Sequence, residues 1–281
     1  MRPVLQAASV FSTLARLAMP RTRPAIVPPG VRTVTVGGAT LGGSGKTRVA
    51  IAIAKVLSGR GERVVLVGHA HRARPGIARI VASNDDVEIV GDEAIVCARS
   101  LEGIANVVVA PSRQEAIDHA VATLPETTVL VFDGPLQLRP RRATLSILAV
   151  DASDPEPPRS LLAYADEVIA VDSRPTPEDV TRLSGKRFGL FTAIARPRRL
   201  VDALRREGLV PAATVEVSDH GPVTASARKA LATAEVDLWV CTPKCSVHME
   251  GARLSASIAP RMVLSCLDPL RASALILRST P

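Results

Sequence analysis

The chain has 281 residues, 47% of them hydrophobic and 22% charged, a composition that argues against disorder and supplies one large core or two smaller ones. Its formal net charge of +8 is compatible with phosphorylated small molecules, anionic lipid or nucleic acid as partners. Aromatic residues make up only 2%, which argues against base-stacking surfaces, so we expect no nucleic-acid partner.

The first predicted element is an N-terminal amphipathic helix within residues 1–24. Apolar residues between Val4 and Ala18 recur at helical spacing, and arginines flank or interrupt them. Such a helix can lie in a membrane interface, pack on the domain as a core helix, or act as a targeting peptide, and the pattern leaves these readings open. No apolar run reaches about 18 residues, so we expect no helix that spans a membrane.

Strand and helix patterns alternate after a Pro-rich connector at 21–30. The strand patterns are continuous and apolar, and the helices between them are about ten to fifteen residues long, which indicates βαβ units. We therefore predict an α/β fold, like that of P-loop NTPases, with a mainly parallel sheet and helices on both faces. The predicted strands are 31–36, 62–68, 105–110, 127–134 and 145–151, and the predicted helices are 46–58, 92–101 and 113–124.

A second series of elements follows a loop at 151–160. We place a domain break near residue 155, which gives an N-terminal helix at 1–24, a nucleotide-binding domain at 25–155 and a smaller C-terminal α/β domain at 156–281. The later strands lie in 167–173, 187–194, 213–224, 236–242 and 262–266, and the later helices in 197–207, in a segment ending near 234 and in 268–277.

The segment TLGGSGKT at 40–47 follows the first predicted strand and opens a helix. Glycines let backbone N–H groups turn toward an anion, and the helix N-terminus adds partial positive charge. Lys46 is expected to reach the β- and γ-phosphates of ATP and Thr47 to bind Mg²⁺, although the usual pattern has glycine where Thr40 stands. The predicted nucleotide-binding residues are Thr40, Leu41, Gly42, Gly43, Ser44, Gly45, Lys46 and Thr47.

Three further side chains are candidates for the chemistry. Asp133 ends an apolar strand and suits a metal site with Thr47, although strand-terminal Asp residues also form turns. Asp92 lies at a loop-to-helix junction, where an N-cap is the simpler interpretation. His220 lies in a turn-rich stretch, where a surface position is the simpler one. Either side chain can position or accept the proton of a phosphoryl acceptor.

The cysteines do not form the dense pattern of a secreted disulfide scaffold, so a reduced cytosolic compartment fits best. Cys241, Cys245 and His248 are close in sequence and suggest a zinc site. They lack a second C-x-x-C or H-x-H pair, so we do not predict a metal there.

Seven short motifs, in the same order, resemble those of the tetraacyldisaccharide 4′-kinases, the lipid A 4′-kinases of Gram-negative bacteria. They extend over most of the chain, and their order makes the resemblance specific. The motifs are VGGATLGGSGKT (36–47), VGDEA (90–94), VVVAPSRQEA (107–116), DGPLQL (133–138), FTAIARPRRL (191–200), SDHGPVT (218–224) and TPKC (242–245).

The resemblance implies transfer of the γ-phosphate of ATP to the 4′-hydroxyl of a tetraacylated glucosamine disaccharide 1-phosphate, a lipid A precursor. It also implies Mg²⁺ and peripheral work at the cytoplasmic face of the inner membrane, with docking through the N-terminus. Asp92 and His220 correspond to the family's acid–base pair, in which the carboxylate orients the imidazole and one of the two takes the hydroxyl proton. Nothing in the sequence indicates an oligomeric state.

Some positions depart from the family pattern. Gly134 replaces a second Asp, Leu138 replaces a His, and His69 stands where the family has Arg; the loop after Asp151 is also shortened. Loss of a carboxylate is expected to weaken or reshape the Mg²⁺ site. A second hypothesis is therefore a diverged P-loop nucleotide-binding protein that has lost or changed the sugar-lipid kinase activity. A third, a basic nucleic-acid-binding protein, rests on charge alone.

Overall fold

The structure is a computed structural model. It describes residues 25–40, 42–68, 73–251, 258–265 and 267–270. These residues form two compact units: the first comprises the chain up to Asp172 and the segment that starts at Asp268, and the second is Ser173–Leu267. The predicted amphipathic helix at 1–24, and all but the start of the predicted helix at 268–277, lie outside the described residues.

Seven strands form one sheet in the first unit. They are β1 Arg32–Gly38, β2 Val64–Val67, β3 Arg79–Ile80, β4 Asn106–Val109, β5 Val129–Asp133, β6 Leu145–Asp151 and β7 Glu167–Val171. Their order across the sheet is β3-β4-β2-β5-β1-β6-β7. Every neighbouring pair is parallel except β3 with β4. The predicted mainly parallel sheet is confirmed.

The helices of the first unit lie between these strands. They are α1 Lys46–Gly59, α2 Val87–Val90, α3 Asp92–Ser100, α4 Arg113–Thr123 and α5 Arg159–Leu162. The start of α4 shows how the local sequence fixes a boundary. The Ser112 hydroxyl accepts a hydrogen bond from the Glu115 N–H and donates one to the Glu115 carboxylate, so the first turn of α4 is capped.

Helices cover both faces of this sheet. On one face, Val65 and Phe132 pack against Ile117 of α4. On the other, Leu66 and Val131 are fully buried, and α1 contacts β1, β2 and β5. Burial on both faces explains why the strands read as nearly continuous apolar runs.

The second unit is a smaller α/β body, as predicted. Its strands are β8 Phe188–Thr192, β9 Ala213–Glu216, β10 Leu238–Cys241 and β11 Arg261–Val263, and its helices are α6 Pro177–Leu183, α7 Pro197–Arg206, α8 Ala225–Thr233 and α9 Pro243–Gly251. The strands pair in the order β11-β10-β8-β9, and all three pairs are parallel. Trp239 is fully buried in this core, and its indole N–H donates to the Leu231 carbonyl at 3.2 Å.

The division between the units does not fall near residue 155. β7 lies beyond that position and pairs with β6, from Ile147 opposite Glu167 to Asp151 opposite Val171. The first unit therefore extends to Asp172. The Pro-rich stretch at 151–160 is a crossover within the first sheet.

Candidate active site

The glycine loop between β1 and α1 has the backbone of a phosphate-binding loop. Gly42, Gly43 and Gly45 have φ angles of 76°, 71° and 79°, in the left-handed region that favours glycine. A Cβ on Gly45 would lie 2.6 Å from Val171 Cγ1, so this glycine is also required for close packing. A run of such glycines directly before a helix is the arrangement that turns backbone N–H groups toward an anion.

The other predicted loop residues have different surroundings. The Thr40 hydroxyl donates a hydrogen bond to the Gly42 carbonyl at 3.1 Å and so links two positions within the loop. Ser44 is buried, and Thr47 is half-buried in the first turn of α1. Leu41 lies outside the described residues.

Lys46 is held by two carboxylates. Its Nζ lies 3.1 Å from Asp133 Oδ1 and 3.3 Å from Glu93 Oε2. Burial by itself would lower the pKa of Lys46, but the negative charges of Asp133 and Glu93 raise that pKa above the ordinary lysine value. Lys46 therefore carries its positive charge throughout the physiological pH range.

Asp133 ends β5, directly beside β1, which leads into the glycine loop. Its side chain is 1% exposed. One carboxylate oxygen contacts Lys46, and the other, Oδ2, is buried and has no hydrogen-bond partner within the described part of the chain. A buried carboxylate oxygen without a partner fits a cation such as Mg²⁺, since oxygen is the ligand that this ion prefers.

Asp92 begins α3 and is buried. Its Oδ1 accepts the N–H of Glu93 at 2.8 Å, which fixes the carboxylate at the start of the helix. The next residue, Glu93, is the partner of Lys46. The fold thus brings Lys46, Glu93 and Asp133 together and places Asp92 beside Glu93 in the chain.

His220 belongs to the second unit and lies in a turn after β9. It is the one non-glycine residue with positive φ, at 58°, among those the structure describes. Its Nε2 lies 3.2 Å from Lys244 Nζ and 3.5 Å from Asp219 Oδ2, while Lys244 Nζ contacts Asp219 Oδ1 at 2.9 Å. A non-glycine residue in this conformation is strained, and such strain is concentrated at functional sites.

Two features of the site were missed in the sequence. Glu93 lies within the motif VGDEA but received no role, because only the fold brings it to Lys46. Asp219 and Lys244 belong to the motifs SDHGPVT and TPKC, and their contacts with His220 join those two motifs.

The cysteine cluster in the second unit is part of the core. Cys241 ends β10 and Cys245 lies on α9, and both are buried free thiols. Burial raises the pKa of Cys241 to about 12 and that of Cys245 above its ordinary value, as expected for thiols packed in an apolar core. Across the described ranges, no three His, Cys, Asp or Glu side chains are grouped as metal ligands.

A cavity of about 480 Å³ opens where β2, β4 and β5 end. Asp133 lies on its wall, so the cavity reaches the Lys46 cluster. It is lined among the described residues by Val67, Gly68, Ala73, Arg74, Pro75, Ala110, Pro111, Ser112, Arg113, Ala116, Phe132, Asp133 and Pro135.

Comparison with known proteins identifies relatives of the chain. A family model described as tetraacyldisaccharide-1-P 4′-kinase (LpxK) matches residues 1–163. The chain is 27% identical to the tetraacyldisaccharide 4′-kinase of Anaeromyxobacter dehalogenans strain 2CP-C, over 95% of this chain and 85% of the relative. It is 29% identical to that of Geobacter metallireducens, over 84% of each chain.

A solved structure has the same fold. It is the crystal structure of "apo" form LpxK from Aquifex aeolicus in complex with ATP, which aligns with a TM-score of 0.64 at 17% identity. The alignment covers 93% of this chain and 91% of that one. No helix among the described segments is long and apolar enough to cross a bilayer.

Proposed function

The chain belongs to the tetraacyldisaccharide-1-P 4′-kinase family, and from this premise we propose that it is an ATP-dependent kinase. It transfers the γ-phosphate of ATP to the 4′-hydroxyl of a tetraacyldisaccharide 1-phosphate in lipid A biosynthesis. The acceptor is a lipid A precursor, an amphiphile with four acyl chains and a phosphorylated disaccharide headgroup.

The observation that carries this proposal is the position of Lys46. It follows a loop whose glycines have positive φ, and its Nζ contacts the buried Asp133 at 3.1 Å. When ATP binds, the glycine loop holds its phosphates through backbone N–H groups. Lys46 then leaves Glu93 and Asp133 and contacts the β- and γ-phosphates. These phosphates together carry more negative charge than the two carboxylates that hold the Lys46 ammonium in the structure.

Mg²⁺ is the expected cofactor, and Thr47 and Asp133 are its proposed ligands. The partnerless Oδ2 of Asp133 supports this assignment. Bound Mg²⁺ would neutralise charge on the phosphates of ATP. The family's second Asp is Gly134, whose N–H donates to the Val36 carbonyl at 3.1 Å; this contact keeps the strand end in place but supplies no carboxylate.

Asp92 and His220 are the proposed acid–base pair. Asp92 is buried and fixed by the Glu93 N–H, and His220 is held in a strained turn beside Asp219 and Lys244. An imidazole suits proton transfer because it changes charge near neutral pH. In the proposed reaction, one member of the Asp92–His220 pair takes the proton of the 4′-hydroxyl as its oxygen bonds to the γ-phosphorus. The bond between the γ-phosphorus and the β–γ bridging oxygen breaks, and ADP leaves.

We place the protein at the cytoplasmic face of the inner membrane, attached peripherally. The net charge of +8 supports attraction to anionic lipid, and the acylated acceptor is itself a membrane component. Residues 1–24 are the proposed docking segment. Nucleic acid is not an expected partner.

The departure at Leu138 has a structural explanation. Leu138 is buried and packs in the core cluster that contains Phe132 and Leu130. The side chain at this position therefore supports the core instead of facing a ligand. No observation favours the alternative of a nucleotide-binding protein without kinase activity.

The test is a phosphoryl-transfer assay with purified protein, γ-labelled ATP, Mg²⁺ and tetraacyldisaccharide 1-phosphate in detergent micelles. We expect label in the lipid, and a loss of about 10²- to 10³-fold in kcat/KM for Lys46→Ala. Lys55→Ala removes an exposed lysine from the same helix and serves as the matched control. Binding of ATP without any transfer to this acceptor would contradict the proposed function.

A further inference from the structure

Two arginines line the cavity at the ends of β2, β4 and β5. Arg74 follows β2 and Arg113 is the first residue of α4, so they reach the cavity from separate segments. The backbone N–H of Arg74 donates to the Glu88 carbonyl at 3.3 Å, which ties its segment to α2. Within the described residues, neither guanidinium has a hydrogen-bond or ion-pair partner.

Unpartnered guanidinium groups in a cavity require an explanation. Arg113 is half-buried, and burial lowers its pKa below the ordinary arginine value. Among the described residues that line the cavity, Asp133 is the one carboxylate, and its Oδ1 is already in contact with Lys46. A cavity with two free guanidinium groups therefore attracts an anion, and the fork of N–H donors on each matches phosphate best.

The nucleotide is not the natural occupant of this cavity. β1 leads into the glycine loop, and β5 separates β1 from β2 and β4 in the sheet. The phosphates of ATP are expected at the β1 side, whereas the arginines lie at the β2 and β4 side. Asp133 on β5 lies between them and lines the cavity, which is where an acceptor must approach the γ-phosphate.

We propose that Arg74 and Arg113 together bind the phosphate monoester that the sugar-lipid acceptor already carries. This inference rests on the proposed function. The cavity volume of about 480 Å³ is in the range of small-molecule sites. The two arginines thereby select an acceptor with a phosphate over the same lipid without one.

Arg74 lies outside the seven motifs quoted above, whereas Arg113 lies within VVVAPSRQEA (107–116). Arg74 lines the cavity beside the end of β2, from a position to which the sequence motifs assign no role.

The test measures equilibrium binding without ATP, by titration calorimetry in detergent micelles. The two probes are tetraacyldisaccharide 1-phosphate and the same lipid lacking the phosphate. We expect wild-type protein to bind the phosphorylated probe about tenfold or more tightly, the range that one charge-assisted hydrogen bond provides. Arg74→Gln and Arg113→Gln should each remove most of this preference, and Arg74→Lys should keep part of it.

Arg63→Gln is the matched control. It also removes one positive charge, but Arg63 directly precedes β2 and so lies at the end of that strand opposite the cavity. Its preference for the phosphorylated probe should equal that of wild type. Thermal unfolding of each variant checks that it folds. If Arg113→Gln does not fold, the binding preference of Arg74→Gln alone decides the test. Equal affinity of wild type for the two probes, or an unchanged preference in folded Arg74→Gln, would overturn the proposal.

Two further outcomes separate this site from its alternatives. A loss of ATP affinity in Arg74→Gln as large as the loss of acceptor affinity would assign the arginine to the nucleotide and contradict the proposal. Wild-type preference for the phosphorylated probe without any phosphoryl transfer would remove the kinase function and leave the arginine site standing. Phosphoryl transfer by a wild-type protein that binds the two probes equally would support the kinase function and overturn the arginine site.

Discussion

Each compact unit holds one lysine against a carboxylate, but the two clusters have different compositions. In the first unit, Lys46 lies between Glu93 and the buried Asp133. In the second, Lys244 contacts Asp219 and the ring of His220. In the first cluster the Lys46 ammonium is the group that can bind an anion, while the second cluster includes a side chain of the type that takes and releases protons near neutral pH.

The two regions also differ in the cost of their backbone conformations. Positive φ angles at Gly42, Gly43 and Gly45 cost little, because glycine has no Cβ. His220 adopts a φ of 58° at a cost of order 1 kcal/mol or more. We infer that the first region is shaped for phosphate binding and that the second is shaped to hold one imidazole in place.

The sharpest way to break this comparison is to remove the proposed acid–base pair. We expect His220→Ala and Asp92→Asn to lower kcat by about 10²- to 10⁴-fold, while the Kd for ATP stays within about twofold, because neither residue is assigned to the nucleotide. His119→Ala, a half-buried histidine on α4, is the control. A comparable loss of ATP affinity in His220→Ala would contradict the assignment of nucleotide binding to the first cluster and of proton transfer to His220.

Much of the first unit was predictable from the sequence. Its strands are β-branched, apolar and buried on both faces, and α1 and α3 each begin within one residue of the prediction. β3 was not predictable, since it has two residues and exists only by pairing with β4. The domain break was wrong because the Pro-rich stretch at 151–160 reads as a linker, and only the pairing of β7 with β6 places it inside the unit.

Some missed elements did carry a local signal. α6 begins after Thr176, whose side chain caps the Asp179 N–H, and Pro177 occupies the first helical position, which is a typical start. The site was predictable to the extent that its residues lie in motifs. The contact of Lys46 with Glu93 and the arginines of the cavity depend on the fold, because their partners are distant in sequence.

The next largest effect concerns the metal. Asp133→Asn should raise the Mg²⁺ concentration for half-maximal activity by about 10- to 100-fold, because the amide replaces a charged ligand oxygen. Asp118→Asn, on the exposed surface of α4, is the control. The measurement is a Mg²⁺ titration of the initial rate at saturating ATP, and an unchanged titration curve in Asp133→Asn would exclude Asp133 as a ligand.

A smaller effect tests the glycine loop. Gly45→Ala should weaken ATP binding about tenfold, because the added Cβ meets Val171 and displaces the loop. Gly61 has a similar φ, 84° against 79° for Gly45, but no atom lies within 4 Å of a Cβ added there. Gly61→Ala should therefore lose a similar stability through backbone strain and keep its ATP affinity. Fluorescence titration with ATP measures both, and equal weakening in both variants would argue against a specific loop geometry.

The smallest effect is expected in the second cluster. Lys244→Ala should lower kcat about threefold to tenfold, since one hydrogen bond to the His220 ring is lost. Lys244→Arg should restore part of the rate, and Lys229→Ala, an exposed lysine on α8, should have no effect. A change in KM for ATP instead of kcat would contradict a role in positioning His220.

The most direct test of the account is the identity of the phosphorylated product. Purified protein with ATP, Mg²⁺ and tetraacyldisaccharide 1-phosphate should yield a lipid with a second phosphate monoester, and proton–phosphorus correlation NMR should place it on the 4′ carbon. A product phosphorylated at another position, or release of inorganic phosphate with the lipid unchanged, would contradict the proposed kinase activity.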